Sequence, residues 1–273
     1  MIAPRAKIRP SRLVLLGHPV AHSRSPRMHA AAASAAGIDI TYDPVDVMPN
    51  RLSEALRELF DESAGGNVTV PHKRAVHDRC DELSSVARRA GAVNTFWRDG
   101  ARLVGHNTDV DGFERAARSL LGKEIRDARV VVIGAGGAAA AVLTALERWP
   151  GARTTITARR LAQAEGLATR FGVSACDETD LPRALSEASV VVNATPVGME
   201  DDAHPSDLSL LPHNATVIDL VYKPGETAWV TAARQSGRRA MDGLPMLIEQ
   251  GALAFESWFG IEADRPAMRR AVG

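Results

Sequence analysis

Cysteine is scarce in this 273-residue chain, with only Cys80 and Cys176 present. They form no CxxC pair and no metal-ligand spacing, and neither stands beside an activating base. Both read as small buried or half-buried residues of a reducing compartment. Net charge is absent as well. The 33 basic residues balance 33 acidic ones, which leaves no electrostatic case for nucleic acid or an anionic membrane and makes a small molecule the default partner. No apolar run approaches the ~18 residues that a membrane helix needs. The basic start MIAPRAKIRPSR is followed by only Leu13-Val14-Leu15-Leu16 before Gly17-His18-Pro19, too little for a signal-peptide core. Residues 1–10 read as a loose end, and the expectation is a cytoplasmic protein, monomer or homodimer. Internal repeats are missing. Of the eight histidines, His18, His22, His72 and His106 lie near polar clusters, but none makes a zinc spacing, so no metal is expected.

What is present is an alternation of strands and helices. Leu13–Leu16 reads as a buried strand, and Ser25-Pro26 opens a helix that Gly37 stops. Further strands are read at Ile40–Val47, Asn67–Val70 and Ala92–Trp97, and helices at 51–60, 72–78 and 84–90. A helix over 111–121 leads to a second series, with strands at Arg129–Ile133, Thr154–Thr157, Val190–Asn193 and Thr216–Leu220 and helices at 138–147 and 162–171. A last amphipathic helix runs over 247–258. The class is α/β, with mostly parallel sheets in two domains. Residues 1–110 with 243–273 form a substrate-binding domain, and 111–242 form a Rossmann-type domain, with the active site expected in a cleft between them.

The second series carries a dinucleotide motif. Gly134-Ala135-Gly136-Gly137-Ala138-Ala139 is a GxGxxA variant directly after an apolar strand and before a helix. The first glycine allows a tight turn, the second a close approach of backbone to pyrophosphate, and the third small residue close packing. A plain glycine-rich turn has the same look. The end of the next strand indicates which cofactor. NAD readers carry a carboxylate there, whereas this chain has Ala158-Arg159-Arg160. Guanidinium groups match a phosphate bidentately, so the cofactor expected is NADP. The alternative is that Arg159 and Arg160 only solvate a helix start.

Polar residues cluster at or after the ends of the first-domain strands, where ligands of open α/β sheets bind. They are Ser23-Arg24-Ser25, Asn67 to Lys73, Asn94-Thr95 and Asn107-Thr108-Asp109, with Gln250 far downstream. Each has an ordinary reading. Ser25 suits a helix cap, Asn94 a strand end, Lys73 a solvated surface and Asp109 a cap for the helix that follows. Together they offer hydroxyls, amides, one ammonium and one carboxylate, a set suited to a polyhydroxylated small molecule.

In order along the chain, these segments resemble the motifs of the shikimate dehydrogenase family. Ser23-Arg24-Ser25-Pro26 resembles SxSP, Asn67 to Lys73 resembles NVTxPxK, Gly91 to Thr95 resembles GAVNT, and Gly105 to Asp109 resembles GxNTD. Gly134 to Ala138 resembles GAGGA and Asn193-Ala194-Thr195 the NAT segment, followed by Asp219 to Tyr222 and Asp242 to Gln250. The resemblance spans about residues 13 to 260. It implies NADPH-dependent interconversion of 3-dehydroshikimate and shikimate in aromatic amino-acid biosynthesis. Ser23, Ser25 and Tyr222 would hold the substrate carboxylate, and Asn67, Thr69, Asn94 and Gln250 the ring hydroxyls. Lys73 and Asp109 would be the catalytic pair. Gly134, Ala135, Gly136, Gly137, Ala138, Ala158, Arg159, Arg160, Leu220 and Gly243 would surround the cofactor. An alcohol loses its proton as hydride leaves, and a lysine beside a carboxylate can relay that proton.

The chain departs from the family where NRTxxRA is replaced by Ala158-Arg159-Arg160-Leu161-Ala162-Gln163-Ala164, and where Ala138-Ala139-Ala140 lacks a frequent Arg. Three other readings compete. A quinate or dual shikimate/quinate dehydrogenase is disfavoured by the retained serines and Thr69. A methylenetetrahydrofolate dehydrogenase is disfavoured by SxSP with GxNTD. A non-catalytic metabolite sensor is disfavoured by the presence of both Lys73 and Asp109.

Overall fold

The computed structural model describes residues 5–122 and 125–273. In chain order its elements are β1 (Leu13–Gly17), α1 (Ser25–Ala35), β2 (Tyr42–Asp46), α2 (Leu52–Asp61), β3 (Gly65–Val68), α3 (Lys73–His77), β4 (Glu82–Leu83), α4 (Ser85–Ala90), β5 (Thr95–Asp99), β6 (Arg102–His106) and α5 (Asp109–Leu121). There follow β7 (Arg129–Ile133), α6 (Gly137–Leu146), β8 (Arg153–Thr157), α7 (Leu161–Phe171), β9 (Ser174–Ala175), α8 (Leu181–Ser186), β10 (Val190–Asn193), β11 (Thr216–Asp219), α9 (Ala228–Gln235), β12 (Ala240–Met241), α10 (Leu244–Phe259) and α11 (Arg265–Val272). The chain divides into two compact units, Met1–Gly112 with Leu247–Gly273, and Phe113–Met246. Among the described residues no helix is long and apolar enough to cross a membrane.

The first unit holds a six-stranded sheet in the order β2-β1-β3-β5-β6-β4. Every pairing is parallel except those of β5, which runs against both β3 and β6. Apolar side chains such as Val14, Leu16, Leu56, Val68, Val93 and Phe96 form its core. Pro44 is tolerated in β2 because that strand is the sheet's edge. The sequence pattern places this strand at Asn67–Val70, whereas the structure starts it two residues earlier and ends it at Val68. Gly65 and Gly66 thus belong to the strand. A Cβ on Gly66 would stand 2.1 Å from the Val14 carbonyl oxygen, so only glycine lets β3 lie against β1 there.

The N-terminal stretch also differs from the expected loose end. Residues 1–4 lie outside the described residues, but Ala6 N–H donates to the Ser257 carbonyl, Ser11 N–H donates to the Ser63 carbonyl, and Pro10 is buried against Gly65. These backbone bonds tie the segment down.

The second unit is an all-parallel sheet in the order β12-β11-β10-β7-β8-β9. Numbered from β7, this is the 3-2-1-4-5-6 order of a dinucleotide-binding fold, with the switch point between β7 and β10. Leu185, Val191, Val217, Trp229 and Val230 pack on one face of it.

Among the polar groups buried in the first unit, His29 stands against aromatic rings. His29 on α1 is buried, stacks on Tyr42 with ring centroids 4.6 Å apart and planes 7° apart, and sits 5.3 Å from Trp258. Neither ring nitrogen has a hydrogen-bond partner. Burial pushes this imidazole from 6.5 down to about 3, with the neighbouring Asn67 side chain acting the other way. The unfolded chain therefore binds a proton here that the folded chain refuses. The stabilisation is complete above pH 6.5 and is lost as pH falls toward 3. His29→Phe keeps the stacked ring and removes the titrating nitrogens. Between pH 6.5 and 4 its denaturation free energy should fall less steeply than that of the parent, by about 1.4 kcal/mol per pH unit. Parallel slopes for the two proteins would show that His29 is not a neutral, dry group.

Candidate active site

The antiparallel course of β5 assembles the site. Its first residue, Thr95, pairs with Asn67 on β3 and with His106 on β6. The start of β5 therefore lies at the edge where β3 and β6 end. Asn67, Asn94, Thr95 and the 107–109 segment meet there, although they belong to three separate stretches of sequence.

Asn107 shapes the turn into α5. Its Oδ1 accepts from Asp109 N–H at 3.0 Å and from Val110 N–H at 3.3 Å, and its amide donates to the Ala92 carbonyl at 2.8 Å. The capping role that the sequence also allowed for Asp109 is thus taken by Asn107. The Asp109 carboxylate, on the first residue of α5, is free for other partners. Lys73 Nζ donates to its Oδ2 at 2.6 Å, and Asn94 Nδ2 donates to its Oδ1 at 2.8 Å. The side chains of Lys73 and Asp109 are only 15% and 6% exposed, which separates this pair from surface ion pairs such as Arg102–Glu82 at 68% and 52%.

Asn94 is the hub. Its Oδ1 accepts from Thr108 N–H at 2.7 Å, and because that group can only donate, the amide's orientation is settled. Its Nδ2 faces Asp109, the Thr108 hydroxyl at 2.9 Å and the Gln250 carbonyl oxygen at 3.2 Å. Gln250 in turn donates to the Leu247 carbonyl at 2.9 Å. A Cβ on Gly112 would stand 2.9 Å from the Gln250 backbone nitrogen, so the missing side chain on α5 lets α10 bring Gln250 to this place. Asn67 spends both amide hydrogens internally, on the Asn94 carbonyl and the Thr95 hydroxyl, each at 3.1 Å. Its Oδ1 accepts from the Tyr42 hydroxyl at 2.8 Å.

Not every expected residue joins this network. Ser23 Oγ accepts from Ser25 N–H at 3.2 Å. Ser25 opens α1, but its side chain caps nothing, and Arg24 holds the cap position. Ser25 is a largely buried residue whose hydroxyl makes no hydrogen bond among the described residues, as suits a group reserved for a ligand. Thr69 is half-buried just past β3, its N–H donating to the Leu16 carbonyl. Tyr222 is half-buried in the second unit, three residues past β11.

The histidines act as supports. His72 Nε2 donates to the Val47 carbonyl at 2.6 Å, beside Lys73. His18 Nδ1 meets Asp46 at 2.5 Å, a contact that holds the Asp46 carboxyl below its usual range. His106 bonds Ser84, and burial pushes it down to about 4. The Cys80 thiol is pushed up to about 12, by burial first and Asp81 second, and is inert.

Two contributors escaped the sequence reading, Asn107 as the cap and Tyr42 behind Asn67. An Asn two residues before a helical Asp is a recognisable capping pattern. Nothing local marks Tyr42, because its contact spans 25 residues.

In the second unit, Gly134 follows β7 with φ +118°, and a Cβ there would meet the Ala194 carbonyl oxygen at 2.6 Å, at the sheet's switch point. At Gly136 a Cβ would meet nothing within 4 Å, so backbone N–H groups at the start of α6 are open to a ligand. Ala139 is fully buried where the motif needs a small residue. Arg159 and Arg160 are exposed at the end of β8 and pair with no carboxylate among the described residues. Leu220 N–H donates to the Asn193 carbonyl, and Gly243 packs against the Leu220 carbonyl, where a Cβ would stand at 2.2 Å. This combination of a bare glycine turn, free helix-start donors and two uncommitted guanidinium groups fits a phosphorylated dinucleotide. Among the described residues no group of three or more His, Cys, Asp or Glu side chains is placed to hold a metal ion.

Family models match along most of the chain. Residues 15–96 match the shikimate dehydrogenase substrate binding domain, residues 115–199 shikimate / quinate 5-dehydrogenase, and residues 243–272 the shikimate 5'-dehydrogenase C-terminal domain. The shikimate dehydrogenase (NADP(+)) of Symbiobacterium thermophilum is 43% identical, over 96% of this chain and 94% of its own. The shikimate 5-dehydrogenase of Thermus thermophilus, solved with NADP(H) and shikimate, is 39% identical and superposes with a TM-score of 0.87, covering 95% of this chain and 97% of that one. The quinate dehydrogenase of Corynebacterium glutamicum, solved with NAD, is 33% identical with a TM-score of 0.86, covering 96% and 98%. Identity and coverage of this extent, joined to the lysine–aspartate pair and the glycine turn, show that the chain belongs to the shikimate dehydrogenase family.

Proposed function

We propose that this chain catalyses the reversible NADPH-dependent reduction of 3-dehydroshikimate to shikimate in aromatic amino-acid biosynthesis. The observation that carries the reading is the largely enclosed 2.6 Å contact between Lys73 and Asp109, itself bonded to Asn94. The first unit serves as the substrate-binding and catalytic domain, and the second as the NADP-binding domain. The setting in this reading is the cytoplasm, with the protein as monomer or homodimer.

Lys73 stands as general acid in reduction, giving a proton from Nζ to the substrate oxygen, and as general base in oxidation. Asp109 holds the ammonium in place and bonds the same hydroxyl. As charge develops on that oxygen, the ammonium stabilises it without rearrangement, because it is already placed. The dinucleotide supplies the hydride when it is bound. Ser23, Ser25 and Tyr222 take the substrate carboxylate. Thr69, Asn94 and Gln250 bond the ring hydroxyls, and Asn67 takes one as an acceptor, since its N–H groups are occupied. An analogue lacking a hydroxyl leaves buried polar groups unpaired, and that supplies the selectivity. Residues Gly134 to Ala138, Ala158, Leu220 and Gly243 surround the dinucleotide, while Arg159 and Arg160 take its 2′-phosphate.

Three measurements test this reading. In a kinetic matrix of shikimate and quinate against NADP⁺ and NAD⁺, shikimate with NADP⁺ should give the highest kcat/KM by about tenfold or more. Quinate or NAD⁺ in the lead would overturn the pocket assignments, and no turnover with any pair would leave a metabolite sensor. Lys73→Ala should lower kcat by about 100- to 10,000-fold with little change in KM. Near-parental kcat would remove Lys73 from the proton step. Replacing Arg159 and Arg160 together with Ala should raise the KM for NADP⁺ by about 10- to 100-fold, the worth of a charge-assisted phosphate contact. The KM for NAD⁺ should hold, and an equal rise for both cofactors would show that the pair does not read the 2′-phosphate.

A further inference from the structure

Four hydrogen bonds lead from the sheet's edge strand to the Asp109 carboxylate, and all four run the same way. Asn67 Nδ2 must face the Asn94 carbonyl, which only accepts, so its Oδ1 faces Tyr42 and the Tyr42 hydroxyl donates, at 2.8 Å. Asn67 Nδ2 then donates to the Thr95 hydroxyl oxygen at 3.1 Å. The Thr95 hydroxyl donates to Asn94 Oδ1 at 3.0 Å, an atom fixed as acceptor by Thr108 N–H, with the Thr108 hydroxyl farther off at 3.2 Å. Asn94 Nδ2 donates to Asp109 Oδ1 at 2.8 Å. All four side chains between solvent and Asp109 are at most 9% exposed, so water does not interrupt the series. Aligned donors in a dry interior polarise one another, each bond strengthening the next by ~10–30%.

The far end is built to stay still. The Tyr42 ring lies flat on His29, 4.6 Å between centroids, with Trp258 tilted beside it at 6.5 Å. Phenylalanine would fill the same space, so the hydroxyl needs its own reason. We propose that Tyr42 is a positioning residue for the reaction, holding Asp109 toward Lys73 through Asn67, Thr95 and Asn94. This rests on Asp109 acting in the proposed reduction. It adds a contributor on the sheet's edge strand that acts through Asn67.

The test is kinetic and spectroscopic. Tyr42→Phe keeps the stacked ring and removes one donor. It should lower kcat for shikimate oxidation by about 3- to 10-fold, the worth of one hydrogen bond, with KM for shikimate and NADP⁺ within about twofold. Thr95→Val breaks the middle of the series and should lower kcat similarly, while Thr95→Ser, which keeps the hydroxyl, should restore it. In the Tyr42→Phe/Thr95→Val double variant the two losses should not multiply, because both break one line. A lower melting temperature with unchanged kcat, or losses that multiply, would overturn the proposal. Turnover by the parent protein reports separately on the proposed function. The Asn94 side-chain amide proton resonance needs no turnover, and in Tyr42→Phe it should move upfield as its bond to Asp109 weakens. An unmoved resonance would sink the idea even in an inactive enzyme.

Discussion

Thr108 N–H donates to Asn94 Oδ1 at 2.7 Å, and the orientation of the whole polar cluster follows from it. A backbone amide has no second role, so the oxygen of Asn94 must face it and the nitrogen must face Asp109. With the amide reversed, Asn94 would put an oxygen against a carboxylate and leave Thr108 N–H unpaired in a dry interior, at a cost of about 1–3 kcal/mol for the unpaired group alone. The contact is possible because β5 runs antiparallel. That direction brings Asn94, one residue before its strand, beside the segment that leaves the end of β6. The Asn107 cap then sets the pitch of α5, so that Asp109 turns toward Lys73 instead of toward its own helix.

The second unit repeats this device at its own strand ends. Asn193, closing β10, donates to Asp219 at 2.8 Å and accepts from Thr195 N–H at 3.0 Å. Asp219 is fully buried and also accepts from Val221 N–H and the Thr227 hydroxyl. Burial pushes this carboxyl upward, and the three donors only oppose it. What the cluster secures is position. The Ala194–Thr195 turn is held where its carbonyl meets Gly134, which allows only glycine beside the open helix start. In both units an asparagine at a strand end joins a buried aspartate to backbone N–H groups, and a loop is fixed as the result.

How much of this can be read in the sequence depends on the distance over which each signal acts. The run Arg129 to Ala139 is self-announcing, since an apolar strand, a glycine turn and an alanine helix are all local features. Lys73, Asn94 and Asp109 were recognisable through motifs that resemble a family, although their meeting depends on strand pairing. The antiparallel course of β5 was not evident, because Ala92–Trp97 has the same apolar character in either direction. Nothing local assigns Gly65-Gly66 to the strand, since the close approach of Val14 that demands glycine arises 52 residues away. Tyr42 and His29 lie among ordinary core residues, and their importance appears only when Asn67 is seen to lean on one of them.

A buried ion pair is a weak stabiliser, because desolvation cancels most of its attraction. The Lys73–Asp109 contact therefore calls for a reason other than stability, and under the proposed function preorganisation is that reason. Donors already aimed at the place where charge develops need no rearrangement when it appears. The network also contains a built-in imbalance. Asn94 Nδ2 carries two hydrogens but faces three acceptors, and the 3.2 Å bond to Gln250 is the longest of the three. That bond is the cheapest to give up, so under the proposed function the Gln250 carbonyl is the acceptor a ring hydroxyl can claim without disturbing the 2.8 Å bond that holds Asp109. Substrate entry and carboxylate positioning are then served by different hydrogens of a single amide, which lets the site exchange partners on one side while staying fixed on the other.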